Sequence, residues 1–269
     1  MLLRAILFGG KGGVGKSTLA CATALRLSEK GKTLLVSIDP AHSLTGILKV
    51  QVGSNAVRIR ENLFAVELCA ERLVEDYVSK VLSAIGEMMP SLKSGLKEYA
   101  RYIKRSPTAL ETAVLDGIAD YLEADFQFVV VDSAPTGQMV RIFQTMKMVE
   151  GWFSFLEKVA KERQKLETFM GRSDKVFDLI KKRREKVQRL VRILKEKAII
   201  FAVANEETLS IEEALDLEKH LKEFKVYRVM NKWKSAEGNF LKVGYLQAPY
   251  GIERLSLLDV EELLKVIAG

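Results

Sequence analysis

Residues 9–18 read Gly-Gly-Lys-Gly-Gly-Val-Gly-Lys-Ser-Thr, and no other stretch constrains the chain as strongly. Gly10 opens and Gly15-Lys16-Ser17 closes the spacing G-x-x-x-x-G-K-[ST], and Lys11 is one lysine more than that spacing requires. The apolar run Leu2 to Phe8 before it suits a buried strand, and Leu19 to Leu25 after it suits a helix. A glycine-rich loop between a strand end and a helix N-terminus turns backbone N–H groups onto phosphate oxygens, and the helix end adds positive potential. Gly10, Gly12, Gly13, Val14 and Gly15 form the expected backbone cradle. Lys16 is expected to reach the β- and γ-phosphates and the Ser17 hydroxyl to ligate Mg²⁺. Lys11 and Thr18 complete the residues expected around the nucleotide. The expected cofactors are ATP and Mg²⁺.

The rest of the chain alternates in the way such a loop demands. Buried strands are expected at Lys32–Ile38, Leu63–Leu68, Phe126–Val131, Ala198–Ala204 and Val226–Met230. Helices are expected at Ala70 to about Lys104 with a break near Pro90, from Ser106-Pro107-Thr108 to about Glu123, through most of Met139–Glu196, and at Ser210–Phe224 and Asp259–Ile267. Alternation of this kind predicts an α/β fold, a mostly parallel sheet covered by helices on both faces. The helical stretches at about 71–123 and 147–196 are longer than crossovers need. They are read as a helical subdomain inserted in a single ATPase domain spanning 1–269.

Two further strand ends carry acids. The second strand runs into Asp39-Pro40-Ala41-His42-Ser43-Leu44. A carboxylate there, beside a phosphate loop, can orient an attacking water, although Asp before Pro also caps turns. FQFVVV runs into Asp132-Ser133-Ala134-Pro135-Thr136-Gly137, and Asp132 after the hydrophobic run reads as a Walker B acid holding Mg²⁺ through water. Gly137 can offer a backbone N–H to the γ-phosphate. Asn231 follows the strand Val226–Met230; its amide can read an adenine edge, or it can simply form a turn. Pro249, in PYGIER, is a candidate second wall for the base.

The formal charge of +7 is local. Between Gly151 and Lys197 there are 15 Lys/Arg against 7 Asp/Glu, and residues 181–184 read Lys-Lys-Arg-Arg. Such a segment can be a solvated helix face or can meet nucleic acid or anionic lipid. Nucleic acid is the less expected partner. No apolar run approaches the roughly 18 residues of a membrane span, and the first residues lead directly into the first apolar run. A cytoplasmic chain, at most peripheral at a membrane, is expected. The two cysteines, Cys21 and Cys69, make neither a CxxC nor a metal-ligand spacing.

Together, the loop GKGGVGKST, the DPAHSL segment and DSAPTG resemble the ArsA-type ATPases. That family includes arsenite-pump ATPases and the ATPases that target tail-anchored membrane proteins in the guided-entry pathway. Leu209-Ser210-Ile211-Glu212-Glu213 is also similar to the family's strand-to-helix segment. The extra lysine alone fits a wider deviant Walker A class with MinD, ParA and nitrogenase iron protein, and DPAHSL narrows it. The resemblance implies a homodimer with two ATP molecules face to face. It implies that Lys11 reaches the partner's phosphates, that Lys16 and Asp39 support hydrolysis, and that Pro40, His42, Ser43, Pro135, Thr136 and Gly137 lie in switch segments. It also implies a helical groove for a client's transmembrane helix, and a membrane receptor.

The chain departs from that pattern in four ways. Gly46 stands where an acid is common, Gln138 stands where His is common, there is no CxxC for a zinc clasp, and there is no thiol cluster for arsenite. An ATP-gated targeting factor is therefore preferred over an arsenite-pump subunit. A ParA- or MinD-like positioning ATPase and a nucleotide-locked structural dimer remain as alternatives. Met88, Met89, Met146, Met148, Met170, Trp152 and Phe153 are candidates for an adaptable client surface, or for ordinary helix core.

Overall fold

The computed structural model describes residues 4–39, 43–88, 109–133, 135–148, 151, 158, 175–235 and 238–269. The strands among them are β1 (Arg4–Gly10), β2 (Thr33–Ser37), β3 (Val57–Arg60), β4 (Leu63–Glu67), β5 (Phe128–Asp132), β6 (Ala198–Ala204), β7 (Lys225–Trp233) and β8 (Leu241–Gly244). The helices are α1 (Lys16–Leu27), α2 (Leu44–Leu48), α3 (Ala70–Met88), α4 (Ala109–Leu122), α5 over 136–148, α6 (Lys175–Lys197), α7 (Thr208–His220), α8 (Ile252–Leu255) and α9 (Glu261–Ala268).

The strands form one sheet in the order β3-β4-β2-β5-β1-β6-β7-β8, parallel everywhere except at β3–β4. β5 and β6 are buried at every position, and β1 at every position but its first. Both faces of these central strands are therefore covered, which is why their sequences read as unbroken apolar runs rather than alternating ones. Phe8 and Phe201, fully buried on neighbouring strands, hold their rings 5.3 Å apart. Each such side chain contributes roughly 1.5–3 kcal/mol on burial.

Strand order places the site. β1 sits between β5 and β6, and the chain from β1 continues to β2 on the far side of β5. The connections diverge around β1, and parallel sheets bind ligands at such a switch point, beyond the strand C-termini. The C-terminal ends of β1, β2 and β5 and the residues just beyond them bring Lys16, Asp39 and Asp132 to this edge.

Several boundaries differ from the sequence reading. β1 runs on to Gly10 because Gly9 and Gly10 pair in register with Ala202 and Val203 of β6. Asp132 is the last residue of β5 rather than the first after it. β3, α2 and β8 are additional elements.

The chain divides into two compact units. The first takes Met1–Cys69, Tyr121–Val140 and Ile193–Gly269, and contains the sheet. The second takes Ala70–Asp120 and Arg141–Arg192. Within the second, Lys186 reaches Asp116 and Asp120 at 2.7 Å each, and Arg141 pairs with the buried Glu111 at 3.2 Å. Met146 is 1% exposed and belongs to the interior, not to a surface for a client, whereas Met148 is 55% exposed. Met89, Met170, Trp152 and Phe153, and the side chain of Met88, lie outside the described residues. Among the described residues no helix is long and apolar enough to cross a membrane.

Candidate functional site

The loop from Gly10 to Gly15 is shaped by its glycines. Gly10, Gly13 and Gly15 have φ of 142°, 81° and 95°, a region that other residues rarely adopt. At Gly10 a Cβ would strike the Val203 carbonyl of β6, and at Gly15 it would strike the Asn231 amide. No side chain caps the N-terminus of α1, which leaves its first N–H groups available to an anion. Lys16 is buried, and its ammonium donates to the Lys11 carbonyl at 3.0 Å, back along the loop. Gly12 and Gly13 are exposed, Val14 is buried, and Ser17 and Thr18 are half-buried.

The acids surround Lys16. Burial lowers the Lys16 ammonium, against the charges of Asp132, Asp39 and Glu213, which resist. Burial likewise pushes the Asp132 carboxyl up to about 6. A Ser17 hydrogen bond opposes that rise, the Asp39 charge adds to it, and Ser37 and Lys16 hold it back. Ser17, Lys16 and Asp39, which the sequence assigned to one site with Asp132, are thus close enough to act on its carboxyl. Asp132 Oδ1 is buried with no hydrogen-bond partner. An orphaned carboxylate oxygen is costly in a dry interior. A hydrated Mg²⁺ answers it, because this ion prefers few protein oxygens, several waters and substrate phosphates. Among the described residues no group of three or more His, Cys, Asp or Glu could hold a metal by itself.

The segments expected to switch are held by side chains. The Asp39 N–H donates to Ser37 Oγ at 3.3 Å, and the Ser37 hydroxyl donates to Asp132 at 3.2 Å. Pro40 and His42 lie outside the described residues. The Ser43 hydroxyl is buried without a hydrogen bond, and the next N–H, that of Leu44, donates to the buried Glu67 carboxylate at 2.7 Å. After β5, the Ser133 hydroxyl donates to the Phe8 carbonyl at 2.6 Å. Pro135 and Gly137 are exposed, whereas Thr136 is buried and donates to Glu213 of α7 at 3.2 Å. Gly46 has open space where a Cβ would project, so packing does not impose glycine there.

Asn231 lies inside β7, so the turn-forming reading is wrong. Its amide nitrogen donates to the Val14 carbonyl at 2.7 Å and braces the phosphate loop from beneath. Pro249 is half-buried in the loop after β8. That loop is tied to α2 by the Gly251 N–H on the Ile47 carbonyl at 2.7 Å, and by Lys49 Nζ 5.6 Å from the Tyr250 ring. Lys11 lies 4.0 Å from Glu207 at the start of α7. Sequence reasoning missed Ser37, Glu67 and Glu207, and noted Glu213 only within the segment similar to the family's strand-to-helix segment. Each is an ordinary polar residue until the strand order brings it to the loops, and only Glu67, an acid ending an apolar strand as Asp132 does, left a signal.

Comparison with known proteins supports the same reading. The family model described as anion-transporting ATPase matches residues 3–235. A putative arsenical pump-driving ATPase 2 of Aquifex aeolicus is 31% identical over 82% of this chain and 76% of its own length. A putative arsenical pump-driving ATPase of Chlorobaculum tepidum is 31% identical over 97% of this chain and 68% of its own. A protein of Podospora anserina named ATPase GET3 is 30% identical over 63% of this chain and 48% of its own.

Proposed function

The chain belongs to the anion-transporting ATPase family and is an ATPase with a P-loop NTPase fold; from that premise we propose that it hydrolyses ATP with Mg²⁺ as a nucleotide-gated homodimer that controls a client protein. The observation that supports this most is Asp132, a buried carboxylate with an orphaned oxygen, beside Ser17 and Lys16. Ser17 and Asp132 would hold Mg²⁺, which would supply positive charge against the nucleotide's phosphates. Lys16 then exchanges the Lys11 carbonyl for the phosphate oxygens, which are better acceptors for a buried ammonium. The N–H groups of the loop and of α1 hold the remaining oxygens. Asp39 orients the attacking water, and the Gly137 N–H reports whether the γ-phosphate is present. Asn231 keeps the loop in shape, and with Pro249 it bounds the adenine. Lys11, paired at 4.0 Å with an exposed glutamate, can change partners cheaply and act across a dimer.

Asp39→Asn tests the chemistry. ATP binding should persist while turnover falls by roughly 100-fold or more, since a positioned water is worth several kcal/mol. Unchanged turnover would remove Asp39 from the mechanism.

For the client we favour a targeting role on apolar helices over transport of arsenicals. A thiolate site needs ionised cysteines, and Cys21 is fully buried in α1 with burial pushing its thiol up. Co-expression with a tail-anchored protein, under ATP, should yield a soluble complex. Recovery of the client only as aggregate would leave the ATPase without this role. Tight ATP-dependent DNA binding that weakens steeply with salt would instead favour the positioning reading.

A further inference from the structure

Asp39 and Asp132 belong to different strands and have different tasks, yet one side chain touches both. Ser37 is the last residue of β2 and is 1% exposed. It stands in register with Asp132 on β5 and with Glu67 on β4. Its hydroxyl has one proton and two lone pairs. The proton goes to Asp132 Oδ2 at 3.2 Å, and a lone pair accepts the Asp39 N–H at 3.3 Å. Water does not compete at so buried an oxygen. Both distances are long for their types, and bonds of catalytic groups shorten when substrate completes the site.

We propose that Ser37 is a positioning residue for hydrolysis, its single hydroxyl holding the metal-binding carboxylate of Asp132 and the backbone of Asp39 in one fixed relation. Its role rests on the ATPase reading above and adds to it a direct link between two loops. Asp132 keeps Oδ1 turned to the metal because Ser37 engages Oδ2. Asp39 keeps its carboxylate toward the γ-phosphate because its N–H is tied two residues back. Loss of the hydroxyl should loosen both at once, so turnover and Mg²⁺ requirement move together, while ATP, held by the loop and α1, is bound as before.

Three single variants, one double variant and one exchange measurement test it. Ser37→Ala should lower kcat about tenfold, an effect of roughly one charge-assisted hydrogen bond. It should also raise the Mg²⁺ concentration for half-maximal turnover several-fold and leave the KM for ATP within about twofold. Ser37→Cys keeps the volume but has only a weak donor and acceptor, and should behave like Ser37→Ala. Ser37→Thr keeps the hydroxyl and should restore both kcat and the Mg²⁺ requirement. In an Asp39→Asn background, Ser37→Ala should cost less than tenfold in kcat, because one of the two groups it positions is gone, and should still raise the Mg²⁺ requirement through Asp132. Hydrogen exchange at the Asp39 amide, in nucleotide-free protein, should accelerate in Ser37→Ala and Ser37→Cys but not in Ser37→Thr. That readout needs no turnover, so it tests the link even if the ATPase reading fails. Unchanged exchange at Asp39, a Cys variant as fast as wild type, or a loss of kcat and ATP affinity in equal proportion would overturn the proposal.

Discussion

Both units of the molecule bury charge, but they treat it in opposite ways. In the unit of Ala70–Asp120 and Arg141–Arg192, Lys186 sits between Asp116 and Asp120. Burial alone would lower its ammonium, but the hydrogen bonds and charges of the two aspartates outweigh burial and raise it. In the unit that holds the sheet, three acids crowd one buried lysine, Lys16 is lowered and Asp132 is raised to about 6. The first arrangement is satisfied by the chain itself. The second is not, and an anion with a cation would relieve it. What separates the two sites is that Lys186 finds its counter-charges within the chain, whereas Asp132 keeps a buried oxygen without a hydrogen-bond partner.

Four substitutions sharpen or break that contrast. The largest effect is expected at Lys16→Ala, where turnover should fall by roughly 1,000-fold, since the phosphate charge loses its buried counter-ion. The fold should be almost unaffected, and a large loss of melting temperature there would show that Lys16 is structural after all.

Asp132→Asn comes next, and it acts on stability. Asp132 is protonated in the folded chain up to about pH 6 but in the unfolded chain only to about 3.8. The folded state therefore binds more protons between those values, and stability falls as pH rises through that window. Above it the penalty is constant, about 3 kcal/mol from roughly two pK units. Asp132→Asn should stabilise the nucleotide-free protein by up to about that amount at pH 7 and by nothing near pH 4, while abolishing Mg²⁺-dependent turnover. Denaturant melts at the two pH values read it, and an Asn variant less stable at pH 7 would contradict the picture.

Lys186→Met should do the reverse. Two aspartates lose this ammonium, which costs about 2 kcal/mol for a half-buried group, and turnover per folded molecule should stay within about twofold. The lysine is raised above 10.5, so its contribution is complete below that pH and is lost only as pH climbs through the folded value. Wild type and variant should therefore converge in stability at strongly alkaline pH. The smallest effect is expected at Glu207→Gln, within about 0.5 kcal/mol, because its pair with Lys11 is long and exposed. Circular-dichroism melts resolve both.

Much of this was legible in the sequence, for identifiable reasons. The strands β1, β2, β4, β5 and β6 are buried or nearly so, and burial writes itself as apolar runs such as Phe128 to Val131, whereas β7 is buried only over Val229–Asn231. The glycine loop is legible because its φ angles exclude most residues. The edge strands β3, with sequence Val-Arg-Ile-Arg, and β8, with Leu-Lys-Val-Gly, are short and mixed, as edges exposed to water tend to be. They look like loop. The five-residue α2 is held at both ends by distant groups, Glu67 and the Gly251 N–H, and neither contact has a local trace. Ser37 was invisible for the same reason. Asn231 was noticed, but its bond to Val14 depends on β7 lying two strands from β1, an order that spacing alone does not reveal.

That bond from Asn231 to Val14 joins residues 217 positions apart. A ribosome adding roughly 5–20 residues per second needs about 10–45 s between making the first and the second. Throughout that interval the glycine loop is synthesised but unbraced, and β1 waits for β6, its neighbour in the finished sheet. Nucleotide affinity therefore arrives late in the life of a nascent chain, after β7 emerges. A fragment stalled short of Asn231 carries the whole phosphate-loop sequence and lacks the strut that shapes it. Under the proposed ATPase role, ATP would find its braced loop only in chains that have already made β7.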